Sequence, residues 1–358
     1  MPITMPKVEL PSWLRMPSFP GLGMGAAGRS PLMEPKLPAV AFDIDHKSIA
    51  MVRIGRRKVE RFIASWEVVE MPADIIELDF GNVRLADPAR FTELIRGLVA
   101  RNEGEIDRAS ILLPDSFSRV AILSLDQLPR RRADALEMIR WKTKKSVPFK
   151  VDKAAVDFMV LPSAGPGLNI LAVLTPRTVI EAFEAAFTSL EIHAGLVDLN
   201  TLSLLNLYRP IFDKEIVNGS EFMVANVSDG FVTFVIFRGR QMIFFRSKPF
   251  TPSLGGSDAG GDARSVLRLI RRELQTSLLY YREKLDGKHL TRAYLRVVEP
   301  GPEAVAGVFG DQQEIAEVHW IDPRKVVDAD GRLAGDQGTR LLQRLAPALG
   351  AALGREIE

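Results

Sequence analysis

The strongest constraint on the fold is a pattern that occurs twice. Val40-Ala41-Phe42-Asp43-Ile44 reads as a buried strand, Ser48–Ile54 as a second, and Val59–Val69, rich in β-branched and aromatic residues, as a third. Gly55-Arg56-Arg57 turns the chain between the second and third. Roughly 180 residues later the grammar returns: Phe222–Val227, Phe231–Phe237 and Gln241–Phe245 are strands, with Arg238-Gly239-Arg240 at the corresponding turn. Each trio leads to a helix. Asp87 caps one that has Pro88 in its first turn and Phe91, Leu94, Ile95 and Leu98 at helical spacing, and Asp262–Leu285 is the other. A repeat this long is not a solenoid unit and predicts two related α/β lobes facing one another.

Between the copies the sequence predicts an inserted unit. Its strands are Ala109–Leu113, Arg119–Leu125, Val156–Leu161 and Asn169–Leu174, and its helices are Arg130–Ser146, ending before Pro148, and Pro176–Leu190. The strand His193–Val197 and the helix Leu199–Tyr208 lead back. The chain closes with the strand Arg292–Val298, a helix near Glu303–Gly310, the strand Glu317–Ile321 and a helix over Thr339–Glu356. The expected divisions are a Pro/Gly-rich disordered leader at 1–37, the first part of lobe I at 38–106, an inserted subdomain at 107–192 and a lobe I return at 193–218. Lobe II follows at 219–337, and a C-terminal helix packed on lobe I at 338–358.

Composition removes several classes of function. The sequence has no cysteine, which excludes disulfides, thiolate zinc sites and cysteine nucleophiles. Its apolar run Leu345–Gly354 is far shorter than the roughly 20 residues that span a bilayer. The N-terminus, broken by Pro2, Pro6 and Pro11, carries no secretory signal pattern. A cytoplasmic location is the expectation. Lys+Arg 47 against Asp+Glu 45 leaves a net charge of +2 and no general reason to expect nucleic acid. His46, His193, His289 and His319 make no metal-ligand spacing, and neither a G-x-S-x-G elbow nor a G-x-x-x-x-G-K-[ST] loop is present.

Two facing lobes, each opening with three strands, describe an actin-like (ribonuclease H-like) duplicated fold, and particular segments narrow the likeness. Phe42-Asp43-Ile44-Asp45-His46-Lys47-Ser48-Ile49 resembles the first phosphate loop of the PilM family of type IV pilus assembly proteins, D-I-G-x-x-S-[IV]-K. Leu112-Leu113-Pro114-Asp115-Ser116 with Arg119-Val120 is similar to the family's A-L-P-x-x and R-V pair. Ile139-Arg140-Trp141-Lys142 through Val147-Pro148-Phe149 is similar to its I-R-W-E…I-P-F segment. Glu273–Arg282 resembles E-I-x-R-S-L-x-Y-Y-R, and Leu345–Gly350 the closing helix. The resemblance runs over about residues 38–356.

The resemblance implies an ATP site between two hairpins, with Asp43 as the carboxylate that positions magnesium and Ser48 as the hairpin serine. The sequence departs from that pattern four times. Asp45 replaces a glycine, Ala50 a lysine, Asn226 an aspartate and Ser228 a second glycine. Two like charges about 4 Å apart at an effective dielectric near 20 repel by about 4 kcal/mol, half of the roughly 8 kcal/mol of micromolar binding. The glycine-rich turn expected after the strand at 292–298 reads Glu299-Pro300-Gly301-Pro302. The segment Pro252–Gly261, with Gly255-Gly256 and Gly260-Gly261, is a short joint where relatives carry a helical subdomain. The expectation is a pseudo-ATPase scaffold with no cofactor and no catalytic residue. The alternatives are an ATPase that still uses ATP and magnesium, and a related type II secretion platform protein.

The resemblance also implies a partner: the N-terminal cytoplasmic peptide of a PilN-like inner-membrane protein, held in a groove of the inserted subdomain. Trp141, Pro148 and Phe149 are the candidate groove residues, with core packing of that subdomain as the competing reading. Pilus motor ATPases are further candidate partners, and the protein is expected at the inner face of the inner membrane. Arg130-Arg131-Arg132, Arg140, Lys142, Lys144, Lys145, Lys150 and Lys153 form the densest positive stretch. It reads either as a solvated face or as a site for an acidic or anionic partner, the inner leaflet included. Nucleic acid fits poorly, because no stacking aromatics interleave the charge.

Overall fold

The computed structural model describes residues 37–354, apart from 58–59, 80–81, 103, 164–166, 251–258 and 328–332. All of the expected leader except Leu37, and the Gly255-Gly256 part of the joint, lie outside the described residues. Lobe I opens with β1 (Val40–Ile44), β2 (Ser48–Arg57) and β3 (Glu60–Glu70). A small hairpin of β4 (Ile76–Asp79) and β5 (Asn82–Leu85) follows, then α1 (Pro88–Ala100). After β6 (Arg108–Leu113) the chain makes an excursion through β7 (Arg119–Leu125), α2 (Arg132–Thr143), β8 (Ala154–Leu161) and β9 (Leu168–Pro176). It returns by α3 (Arg177–Thr188), β10 (His193–Leu199) and α4 (Asn200–Asn218). Lobe II consists of β11 (Glu221–Val227), β12 (Phe231–Arg238), β13 (Gln241–Pro249), α5 (Ala259–Lys284), β14 (Leu290–Val297), α6 (Pro302–Gly310) and β15 (Ile315–Trp320). The helix α7 (Gly335–Leu353) closes the described chain.

The duplication is visible in the sheets. Lobe I has the strand order β3-β2-β1-β6-β10 and lobe II the order β13-β12-β11-β14-β15. In both, the central strand runs antiparallel to its hairpin partner and parallel to the strand on its other side. Such central strands are covered on both faces, which explains why β1 and β11 read as near-continuous apolar runs rather than alternating ones. Phe91, Phe183 and Phe187 of α1 and α3 cover the outer face of the first sheet. Ile270, Leu274 and Phe309 of α5 and α6 cover the outer face of the second. Between the sheets, α4 and α7 bring Leu204, Tyr208, Leu345 and Leu349 into one shared core with Val52, Val224 and Tyr294. The two helices touch at Gly350, where an added Cβ would sit 2.0 Å from the carbonyl oxygen of Ser203.

Three features differ from the sequence reading. The excursion that forms its own sheet is narrower than residues 107–192. Its sheet is β7-β9-β8 alone, while β6 pairs with β1 and β10, and α3 packs its phenylalanines against α1. Hydrophobic surface decides this, since β6 is buried along Ala109–Leu113 and has no place in a small two-layer unit. The helix expected to stop at Tyr208 runs through Pro210 to Asn218, because Phe212 and Glu215 are buried by the strands of lobe II and outweigh the lost backbone bond. The β4–β5 hairpin is too short, four residues a side, to leave a periodic signal.

Candidate functional site

Both central hairpins are closed by the same backbone bond, Asp45 N–H to the Ser48 carbonyl at 2.9 Å and Ser228 N–H to the Phe231 carbonyl at 3.0 Å. Sheet register makes Asn226 the counterpart of Asp43. Asp43 lies between Ala50 and Leu112, and Asn226 lies between Thr233 and Arg296. The hairpin tips meet. A Cβ added at Gly230 would lie 2.0 Å from the His46 ring, so the second tip packs flat against the imidazole of the first. His46 also packs edgewise on Phe117 and Phe231 and shares a 3.1 Å hydrogen bond with the Ser116 hydroxyl. Burial holds its pKa below the usual histidine value, with Lys47 acting in the same direction and Asp45 opposing.

The space between the hairpins is filled by the chain's own polar groups. Arg296, 1% exposed, is a cation near the end of a buried strand. Its Nη1 donates to Asn226 Oδ1 at 2.7 Å and to Ser228 Oγ at 3.1 Å, and its Nε and Nη2 donate to the Gln343 carbonyl of α7 at 2.9 and 2.6 Å. The Ser228 hydroxyl in turn donates to the Asp45 carboxylate across the lobes. Ser48 donates to Asp229 at 3.3 Å, also across the lobes, and Arg344 of α7 clamps Asp229 while donating to the Ser48 hydroxyl at 3.2 Å. A second knot surrounds Asp115, in the short turn after β6. Its carboxylate accepts from the N–H and hydroxyl of Thr201 and, at 2.6 Å, from the Thr233 hydroxyl of lobe II. Asn226 Nδ2 joins the knots by donating to Thr201 Oγ1 at 2.7 Å.

Four buried carboxylates thus surround one buried guanidinium. Burial raises the pKa of Asp43 well above the usual carboxylate range, reinforced by the charges of Asp45 and Asp115 and opposed by Arg296 and Asn200. Asp115 is pushed up to about 6 by burial, against the pull of its threonine donors. Asp229 is raised by burial and by Asp45, with Arg344 and Arg296 opposing. Metal ligation needs a deprotonated carboxylate, and this environment favours the protonated form of Asp43. Among the described residues no group of three or more His, Asp or Glu side chains could hold a metal ion. The residues present therefore do not fit a magnesium–triphosphate group. The side chains of Asp45 and Ser228 stand where that pattern has glycines, and they bond to each other across the lobes.

Of the sequence-predicted residues, Asp43 and Ser48 both face this inter-lobe centre. Ser48 is part of its network, and Asp43 Oδ1 has no hydrogen-bond partner. Arg296, Arg344 and Asp115 were not anticipated as site residues. The signal for Arg296 is its place in the strand Leu290–Val297, where its neighbours Leu295 and Val297 are buried and a charge requires a partner. At the inserted sheet, Pro148 and Phe149 line an open recess of about 410 Å³ with Lys150, Lys153, Pro176 and Thr178. The structure does not bring Trp141 into that recess. Its side chain is 76% exposed on α2.

Comparison with known proteins places this geometry. A sequence model of the family described as "Type IV pilus assembly protein PilM" matches residues 41–259. A solved PilM-PilN type IV pilus biogenesis complex superposes with a TM-score of 0.73 at 16% identity, covering 89% of this chain and 98% of that one. A Bacteroides thetaiotaomicron protein with an actin-like ATPase fold and unknown function matches at 11% identity and a TM-score of 0.48, over 88% of this chain and 99% of that one. The cytoplasmic domain of EpsL, an inner-membrane component of the Vibrio cholerae type II secretion system, matches at 10% identity and a TM-score of 0.43, over 86% of this chain and 94% of that one. No curated protein sequence matches. The repeated sheet order, the paired hairpins and a family match over more than half of the sequence agree: the chain is an actin-fold protein that belongs to the PilM family of type IV pilus assembly proteins.

Proposed function

We propose that this protein is a non-catalytic scaffold of type IV pilus assembly, with a degenerate nucleotide site and a groove for the N-terminal peptide of a PilN-like inner-membrane protein. The observation that carries the first part is the Arg296 network, which occupies the region between the hairpins with bonds from both lobes and from α7. Nucleotide would have to displace those bonds. The second part is supported by family membership and by the recess beside Phe149. An apolar ring, two prolines and two lysines give such a groove both an apolar contact and a charge. The recess lies at the Ala154–Pro176 pair of β8 and β9, and β8 is an edge strand of its sheet, the position an added extended peptide would pair with. On this reading the protein sits at the inner face of the inner membrane through its partner, where pilus motor ATPases are further candidate partners. Among the described residues no helix is long and apolar enough to cross a membrane.

Two titrations test the proposal. Calorimetry with ATP and magnesium is expected to show no binding in the micromolar range. Turnover that disappears in Asp43→Ala would establish the active-ATPase alternative instead. A labelled PilN-like N-terminal peptide is expected to bind, with Phe149→Ala weakening it about tenfold or more, as loss of a buried aromatic contact requires. Unchanged affinity in that variant, with its melting curve intact, removes the groove assignment.

A further inference from the structure

The inserted sheet carries a second surface that overlaps the peptide groove only at Lys150 and Lys153. Trp141 is the most exposed of the large apolar side chains among the described residues, 76% open to solvent near the end of α2. Isolated exposed apolar residues are ordinary; the surroundings of this one are not. Lys142, Lys144, Lys145, Lys150 and Lys153 are all exposed, and among the described residues none has an ion-pair or side-chain hydrogen-bond partner. The nearby arginines behave differently. Arg132 pairs with Asp157, and Arg140 pairs with Glu137 at 3.0 Å, which also neutralises the carboxylate one helical turn from Trp141. Across residues 141–153 the five lysines face one carboxylate, Asp152. In a chain whose net charge is only +2, that is a concentrated local excess of positive charge.

We propose that this face, Trp141 with Lys142, Lys144, Lys145, Lys150 and Lys153, docks directly on the anionic headgroups of a membrane. An indole is favoured at headgroup depth, where its ring meets acyl carbons and its N–H stays hydrated. Lysines are flexible point charges, suited to a fluid array of phosphates rather than to one fixed bidentate acceptor. Near an anionic bilayer each contributes about fivefold to partitioning, so the cluster is worth several orders of magnitude before the indole is counted. A nucleic acid or an acidic protein would also feel the charge, but neither explains an exposed indole beside these lysines with no aromatic neighbour interleaved in the charge. The surface lies beside the Phe149 recess and shares Lys150 and Lys153 with it. A peptide entering that recess from a membrane-anchored partner would start from the plane on which the lysines rest. The proposal does not depend on the groove, because the docking needs no peptide.

The test is sedimentation of the full-length protein with vesicles of phosphatidylcholine alone and of phosphatidylcholine mixed with phosphatidylglycerol. Binding is expected only to the mixed vesicles and is expected to fall steeply with salt. Lys142→Gln/Lys144→Gln/Lys145→Gln should lower partitioning on the order of a hundredfold. Brominated lipid should quench fluorescence in the wild type and much less in Trp141→Phe. All four positions are exposed, so unchanged melting curves serve as the folding control. Equal binding to neutral vesicles, undiminished binding by the triple lysine variant, or quenching that persists in Trp141→Phe would each overturn the assignment. So would lysine-dependent binding of single-stranded DNA or polyglutamate by a protein that ignores both kinds of vesicle.

Discussion

Arg296→Met is the sharpest single perturbation of the inter-lobe centre. The substitution keeps most of the side-chain volume and removes four donated hydrogen bonds, two to the Gln343 carbonyl and one each to Asn226 and Ser228. It also removes a buried cation, the only fully buried one among the described residues, from a region holding Asp43, Asp45, Asp115 and Asp229. Bonds to a charged donor are worth about 1.5–3 kcal/mol each but do not add, because they share one group. Breaking one side of a buried ionic arrangement costs about 3–5 kcal/mol in total. For a chain of this size that corresponds to a fall of about 6–10 °C in melting temperature, at about 2 °C per kcal/mol. The loss should depend on pH. Arg296 holds down the raised pKa values of Asp43 and Asp229. Without it the folded-state values rise further above the unfolded ones, so the folded protein retains protons over a wider range. Stability is then lost as pH rises through that range, and the gap between variant and wild type closes toward acid. Urea unfolding of both proteins at pH 5 and pH 8 measures this. Arg296→Lys should recover part of the charge term but not the forked bonds. An Arg296→Met midpoint equal to the wild type at pH 8, or a deficit of the same size at both pH values, would show that the guanidinium does not hold the carboxylates together.

Asp115 gives an independent pH signature: its pKa of about 6 when folded, against 3.8 ordinarily, means that the folded state keeps its proton longer. That group's contribution is favourable at low pH and is lost between about pH 4 and 6, by about 3 kcal/mol, and Asp115→Asn should flatten that part of the stability profile. Carbon-13 carboxyl titration should place the Asp115 midpoint near the same pH. Gly350→Val should destabilise by about 1–3 kcal/mol or more in urea, because its Cβ would collide with the Ser203 carbonyl at the α4–α7 contact and backbone cannot step aside as a side chain can.

The parts of the fold that the sequence revealed are those whose burial is local. β1 to β3 and β11 to β13 announce themselves because each strand's two faces are committed within a few residues of the next turn. Allocation between layers was not local. β6 and α3 read like the strands and helices around them, and only the pairing of Ala41–Asp43 with Ser110–Leu112 assigns β6 to lobe I. Pro210 misled for a related reason: its local cost is real, but Phe212 earns more from packing against Phe222 and Tyr294 of lobe II, which no window around residue 210 contains. At the site, the residues flagged as departures, Asp45, Asn226 and Ser228, do lie together, whereas Arg296, the donor to Asn226 and Ser228, is 68 residues from Ser228 in sequence and carries no motif. Trp141 reads as a groove residue by its position in a family segment, and its solvent exposure depends on which face of α2 meets the small sheet. Ala135, Ile139 and Thr143 occupy that face and leave Trp141 outside.

The structure also changes the physics by which nucleotide would be disfavoured. The sequence alone points to repulsion between Asp45 and phosphate. In the folded protein Asp45 is engaged by Ser228, and the stronger obstacle is competition: the lobes already satisfy one another. Admitting a triphosphate between the tips would break at least the bonds Ser228–Asp45, Ser48–Asp229, Arg344–Asp229 and Thr233–Asp115, the last because Thr233 rides on β12 and moves with the second tip. At about 1 kcal/mol net for each, the opened state lies about 4 kcal/mol above the closed one before any buried charge is exposed. A ligand that selects a state so rarely populated loses that amount from its affinity, so an intrinsic micromolar site would act as a millimolar one. On the function proposed above, the same network would hold the angle between the lobes without a ligand, as a docking frame requires if the inserted sheet is to present the proposed groove and lysine face at a constant orientation.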